Sequence, residues 1–176
     1  IRSNILTNAP YTIRPPHSPK EWEEVIRLLN DYRNEFNNDE CFSSFEAEMA
    51  NIESLYAQEG LLKLIAVSET DGEIVACIAY RTFTPGVAEM KRLYVKPAHR
   101  GRHLGRILAE TIINITREGG FDKIILDTMV EMKAAQQLYH QLGFYMIPPY
   151  DDQDPERIVC YEKQLQAKFH VKIVAA

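Results

Sequence analysis

The 176-residue chain is one domain by length, and its 45% apolar and 26% charged residues are those of an ordinary water-soluble protein. A net charge of −5 argues against a general nucleic-acid binder, and no stretch approaches the roughly 18 apolar residues of a membrane span. Cys41, Cys77 and Cys160 are odd in number and widely spaced, so neither a disulfide framework nor a CxxC metal pair is implied, and with no signal-peptide pattern a cytoplasmic protein is expected.

Tyr11–Arg14 reads as a short strand ended by Pro15 and Pro16. Ser18, Pro19 and Glu21 then combine an N-cap serine, proline at the first helical position and a capping-box glutamate. Trp22, Val25, Ile26, Leu29, Tyr32 and Phe36 follow at helical spacing. A second capping box, Ser43 with Glu46, heads a helical run holding Phe45, Met49, Ile52 and Tyr56, with Gly60 as its terminator.

Leu62–Ser68 and Ile74–Tyr80 are strands joined at the Asp71-Gly72 hairpin signal, and Pro85-Gly86 supplies the turn before strand Val87–Val95. Alternation puts Glu89, Lys91, Leu93 and Val95 on one face of that strand and Met90, Arg92 and Tyr94 on the other, an assignment that a bulge would change. Helix 104–118 ends at Gly119-Gly120, strand Lys123–Thr128 leads to helix 132–142, and Gly143 stops that helix. Ile158–Glu162 is the last strand, pairing back on Phe144–Ile147. This order predicts an α/β fold over residues 1–176, a central mixed sheet with helices on both faces. The tail from Leu165 to Ala176 reads as an extra edge strand or as a contact in a homodimer.

Lys91–Leu108 reads K-R-L-Y-V-K-P-A-H-R-G-R-H-L-G-R-I-L: a strand, a basic glycine-containing turn, and a helix with Leu104, Ile107, Leu108, Ile112 and Ile115 on one face. Backbone N–H groups at a helix start, with Arg100, Arg102 and Arg106 beside them, suit a phosphate-bearing ligand. Gly101 and Gly105 fit neither the dinucleotide fingerprint nor the P-loop.

The turn resembles the acyl-CoA-binding motif of the GNAT superfamily of N-acetyltransferases, (Q/R)-x-x-G-x-(G/A), with Arg100 first and Gly105 last. His103 stands where the middle glycine usually stands; a negative φ would make this cheap, whereas a need for close backbone approach would make it costly. The resemblance continues through Asp127–Phe144, where A-A-Q-Q-L-Y-H-Q-L-G-F is similar to the helix under the coenzyme arm, and Tyr145–Tyr150 looks like a bacterial branch of small acetyltransferases.

The resemblance implies a GNAT-like sheet whose strands 4 and 5 splay apart, acetyl-CoA as cosubstrate, no metal, and transfer to the primary amine of a small molecule or amino acid. Peptide or protein amines, or a non-catalytic acyl-CoA sensor, are the alternatives. Leu93, Tyr94 and Val95 would meet the pantetheine arm. Arg100, Gly101, Arg102, His103, Leu104 and Gly105 would take the pyrophosphate, and Arg106 is a candidate for the adenosine 3′-phosphate. Acyl transfer needs a proton for the leaving thiolate and a neutral amine. Tyr139 matches the family's usual acid and Glu89 its usual base. The His residues stand at no zinc spacing with the cysteines. The acidic loop Pro148–Arg157 is either a solvated turn or a lid that attracts a cationic acceptor.

Overall fold

A computed structural model describes residues 6–8, 10–36 and 45–165, with the backbone alone for 6–8. The described elements are β1 (Leu6–Asn8), β2 (Tyr11–Arg14), α1 (Pro19–Phe36), α2 (Phe45–Ala50), α3 (Ile52–Tyr56), β3 (Leu61–Ser68), β4 (Ile74–Thr84), β5 (Val87–Val95), α4 (Leu104–Glu118), β6 (Lys123–Met129), α5 (Lys133–Gln141), β7 (Tyr145–Ile147) and β8 (Ile158–Gln164). The strands form one sheet in the order β1-β2-β3-β4-β5-β6-β8-β7. Neighbours run antiparallel except β5 and β6, so the sheet is mixed, as the order of elements predicts.

That parallel pair is short. Val87, Ala88 and Glu89 pair with Lys123, Ile124 and Ile125, and the two strands then part. Beyond Glu89 the backbone of β5 has no ladder partner on its β6 side. Buried unpaired backbone is costly, so such a gap persists where something polar can enter it.

One face of the sheet packs on α4 and α5. Leu104, Leu108, Ile112 and Tyr139 join Ala88, Met90, Ile124 and Leu126 in one cluster. Burying each such aliphatic side chain contributes roughly 1.5–3 kcal/mol. The other face carries α1–α3, where Val25, Leu29, Phe45 and Ile52 meet Ile65, Cys77 and Tyr94. Helices therefore cover both faces.

The first helix starts as its signals predict, with one change of partner. The Ser18 hydroxyl accepts from the Glu21 amide at 3.3 Å, but the Glu21 carboxylate reaches back to the His17 amide at 2.6 Å instead of that of Ser18. The second predicted helix is two, because Asn51, at φ −138°, separates α2 from α3. Ser43 lies outside the described residues. Gly60 does not cap α3, which Ala57 ends; at φ +80° it turns the chain into β3, and a Cβ there would stand 2.5 Å from the Thr82 hydroxyl. The predicted pairing of Tyr145–Ile147 with β8 is present, and the tail beyond Leu165 lies outside the described residues.

Candidate active site

The site begins with a bulge in β5. Tyr94 pairs with Cys77 and Lys91 with Ala79, so Arg92 and Leu93 together oppose Ile78. Arg92 takes φ +59°, a left-handed conformation that costs a non-glycine residue. The bulge corrects the predicted alternation: Leu93 and Val95 pack with Met90 against the α4 side, while Tyr94 joins the α1 side. It is held from α2, whose Glu48 carboxylate meets Arg92 Nε at 2.9 Å and Nη2 at 2.7 Å. Lys63 is buried 3.7 Å from the same carboxylate, and Tyr56 donates its hydroxyl to it at 2.8 Å. Burial opposes ionisation of Glu48, but Lys63 and Arg92 outweigh it and hold the carboxyl below the usual carboxylate range.

Where β5 ends, a 3₁₀ turn over Pro97–His99 feeds the basic loop, and α4 starts with His103 as N-cap. Gly101 and His103 both have positive φ, +74° and +61°. The condition for a cheap histidine is therefore not met. Histidine tolerates this region better than most side chains, yet it is strained there. Tyr11 on β2 holds the loop: its hydroxyl lies 2.9 Å from His99 Nδ1 and accepts from Arg102 Nη1 at 3.3 Å.

A groove of about 770 Å³ runs from this loop between β5 and α5. Leu93, Tyr94, Val95, Arg100, Gly101, His103, Leu104, Gly105 and Arg106 all line it; Arg102 does not. A Cβ on Gly105 would meet Leu138 and Val95 at 3.8 Å, so the glycine keeps the groove wall low without being sterically obligatory. The first amides of α4 have no helical acceptors and carry the positive end of the helix dipole. Such donors at a helix start suit an anionic group. Arg106 crosses to Gln141 on α5 and to Glu110 at 3.4 Å, so the predicted 3′-phosphate contact would require it to leave both.

Leu93 and Met132 line both this groove and a smaller cavity of about 40 Å³ beside the parting strands, room for a few waters. Tyr32, Lys91, Arg92, Asp127, Met132 and Tyr139 are among its walls. Tyr139 is 6% exposed and packs edge-on to Phe144 while bordering this cavity, so it belongs to the core and to the site. Burial, with Asp127 adding to it, pushes its phenol well above the ordinary range.

Glu89 is 2% exposed. Its carboxylate accepts from Arg81 Nε and from the Tyr150 hydroxyl at 3.0 Å, with Lys91 Nζ 3.6 Å away. Arg92, by contrast, turns to Glu48. The acidic loop divides in the same way. Tyr150 points inward, edge-on to Phe83 at 5.3 Å, while Asp151, Asp152 and Asp154 are exposed.

Asp127 is the residue that the sequence reading missed. It stands on β6 just beyond the parting of the strands, half-buried, on the cavity wall it shares with Tyr139 and Lys91. Burial pushes its carboxyl up against the pull of Lys91. The available signal was a lone carboxylate inside the otherwise uncharged run Ile124–Met129. His17 and His140 are exposed, and among the described residues no three His, Cys, Asp or Glu side chains converge as a metal-ligand set.

Comparison with known proteins agrees with this geometry. The chain is 35% identical over 133 residues, 75% of its length and 81% of the relative's, to an uncharacterised N-acetyltransferase of Schizosaccharomyces pombe. It is 39% identical over 64 residues to another from Dictyostelium discoideum, a match taking in 36% of this chain and 30% of that one. In fold it is similar to an acetyltransferase from Streptococcus agalactiae, with a TM-score of 0.75 at 23% identity over 90% of this chain and 100% of that one. Residues 22–144 match the profile of the Acetyltransferase (GNAT) family, and with a match over most of its length and a parted parallel pair in the sheet, the chain belongs to that family.

Proposed function

We propose that the protein transfers the acetyl group of acetyl-CoA to the primary amine of a small molecule or amino acid. The observation that carries this reading is the adjacency of two spaces at the parted strands: a groove lined by Leu93–Val95, Arg100 and the start of α4 shares Leu93 and Met132 with a cavity bordered by Tyr139 and Asp127. Acetyl-CoA supplies an activated acyl carbon and a thiolate leaving group.

The open backbone of β5 gives the pantetheine arm hydrogen bonds, and the turn with the α4 amides takes the pyrophosphate. Tyr139, kept neutral by burial, gives its proton to the departing sulfur. Arg81 and Tyr150 take two of the roughly four lone-pair positions on the Glu89 carboxylate, with Lys91 Nζ 3.6 Å away as an ion-pair partner. Glu89 is not among the residues lining the groove or the cavity, so a remaining position takes an amine proton through a chain of water. Asp127 relays a proton between cavity water and Tyr139. An N–C bond forms as the C–S bond breaks, and the protons lost by the amine match the one gained by sulfur plus the one released.

The cavity is small and walled by Tyr32, Met129 and Met132, which favours a compact amine over a long peptide. A thiol-release screen of purified protein with acetyl-CoA across amines, amino acids and short peptides tests the reading. Turnover on small amines or amino acids supports it. Turnover on peptides alone would contradict the acceptor class, and coenzyme binding with no turnover on any acceptor would make the protein an acyl-CoA sensor.

A further inference from the structure

Glu35 has no role in the chemistry above, yet it stands on the wall of the groove. Its carboxylate accepts from Arg100 Nη2 at 2.8 Å and from the Tyr94 hydroxyl at 2.9 Å. Arg100 also donates Nε to the Val95 carbonyl at 2.9 Å, and its guanidinium lies 5.6 Å from the Tyr94 ring centroid. Four groups from three parts of the fold (the last turn of α1, the end of β5 and the basic turn) thus meet across the groove. We infer that Glu35 sets the affinity of this groove by competing with the ligand's phosphates for Arg100. The inference rests on the reading of the groove as the coenzyme site.

Three observations support it. Arg100 is the first residue of the basic turn, and the donor it aims at Glu35 is the type that a phosphate takes. A phosphate accepting from the remaining donors of the same guanidinium would sit close enough to the carboxylate for like charges to repel. Its Nε contact also uses the Val95 carbonyl, one of the backbone groups of the open β5 edge, so a ligand lying along β5 and holding its phosphates on the turn disturbs both Arg100 contacts at once. Finally, a carboxylate in the last turn of a helix works against the helix dipole. Glu35 is stabilised there by Arg100 and Tyr94, with the Arg100 hydrogen bond the foremost reason its carboxyl lies below the usual range. In the bound state Arg100 leaves Glu35 for phosphate, and the end of α1 loses its tie to the turn.

Calorimetry on the full chain tests this with acetyl-CoA and with pantetheine, which lacks the phosphates. Glu35→Gln and Glu35→Ala should each bind acetyl-CoA about five-fold more tightly than wild type, the scale of a partly exposed ion pair. Their affinity for pantetheine should not change. In an Arg100→Ala background the gain from Glu35→Gln should shrink. Unchanged or weaker acetyl-CoA binding by both variants, or an equal gain without Arg100, would overturn the inference and leave the groove reading standing. Absence of acetyl-CoA binding by the wild type would overturn both.

Discussion

Glu48 on α2 grips Arg92 through Nε at 2.9 Å and Nη2 at 2.7 Å, and Arg92 is the residue whose φ of +59° makes the bulge in β5. The strand's open edge is thus tied to a helix on the opposite side of the sheet. Removing the carboxylate takes its charge away from two buried cations, Arg92 and Lys63. Glu48→Ala should therefore cost about 3–5 kcal/mol in denaturant unfolding. A loss below about 1 kcal/mol would mean that the bulge stands without this anchor.

His103 is strained at φ +61°. His103→Gly relieves the left-handed penalty and returns part of the gain as chain entropy, so stability should rise by up to about 1 kcal/mol. Acetyl-CoA should bind more tightly, because the imidazole no longer flanks the helix start. Thermal unfolding and calorimetry read the two effects separately.

Tyr139→Phe should lower kcat by about 100-fold or more while leaving the affinity for acetyl-CoA nearly unchanged, because the hydroxyl acts mainly on the leaving thiolate. The phenol's raised pKa has a second consequence. The neutral form, which is the proton donor, persists well above the usual tyrosine range. The wild-type kcat should show no loss from phenol ionisation up to about pH 10. An unchanged kcat in the variant would return Tyr139 to a packing role.

The Glu21 carboxyl is drawn down to about 2, first by its hydrogen bond from Arg14, with burial opposing. A depressed carboxyl stabilises the fold fully above its unfolded value of about 4.3, and that contribution is lost as pH falls toward 2. Glu21→Gln should flatten this part of the acid-unfolding curve and change little at pH 7 beyond the lost ion pair. An unaltered acid limb would contradict the assignment.

Much of the frame was legible in the chain because local signals and motif agreed. Helix 104–118 has its stated ends, fixed by apolar spacing and by Gly119-Gly120. What escaped depends on contacts distant in sequence. Phe45, Met49, Ile52 and Tyr56 keep helical spacing straight across the break at Asn51, so periodicity could not reveal it. The faces of β5 shifted because a bulge adds one residue to a period of two, and its anchor lies 44 positions away at Glu48. Asp127 matters only because β5 and β6 part beside it, and Glu35 only because the basic turn folds back onto α1. Each is one charged residue among many until the sheet closes.

The central claim is that acetyl-CoA seats along β5 and on the head of α4. Amide hydrogen exchange on the full chain, with and without acetyl-CoA, tests this directly. Exchange should slow in residues 93–95 and 101–106, with little change in β1, β2 and β7 away from the groove. Binding that protects other segments and leaves 93–106 unaltered would contradict the account.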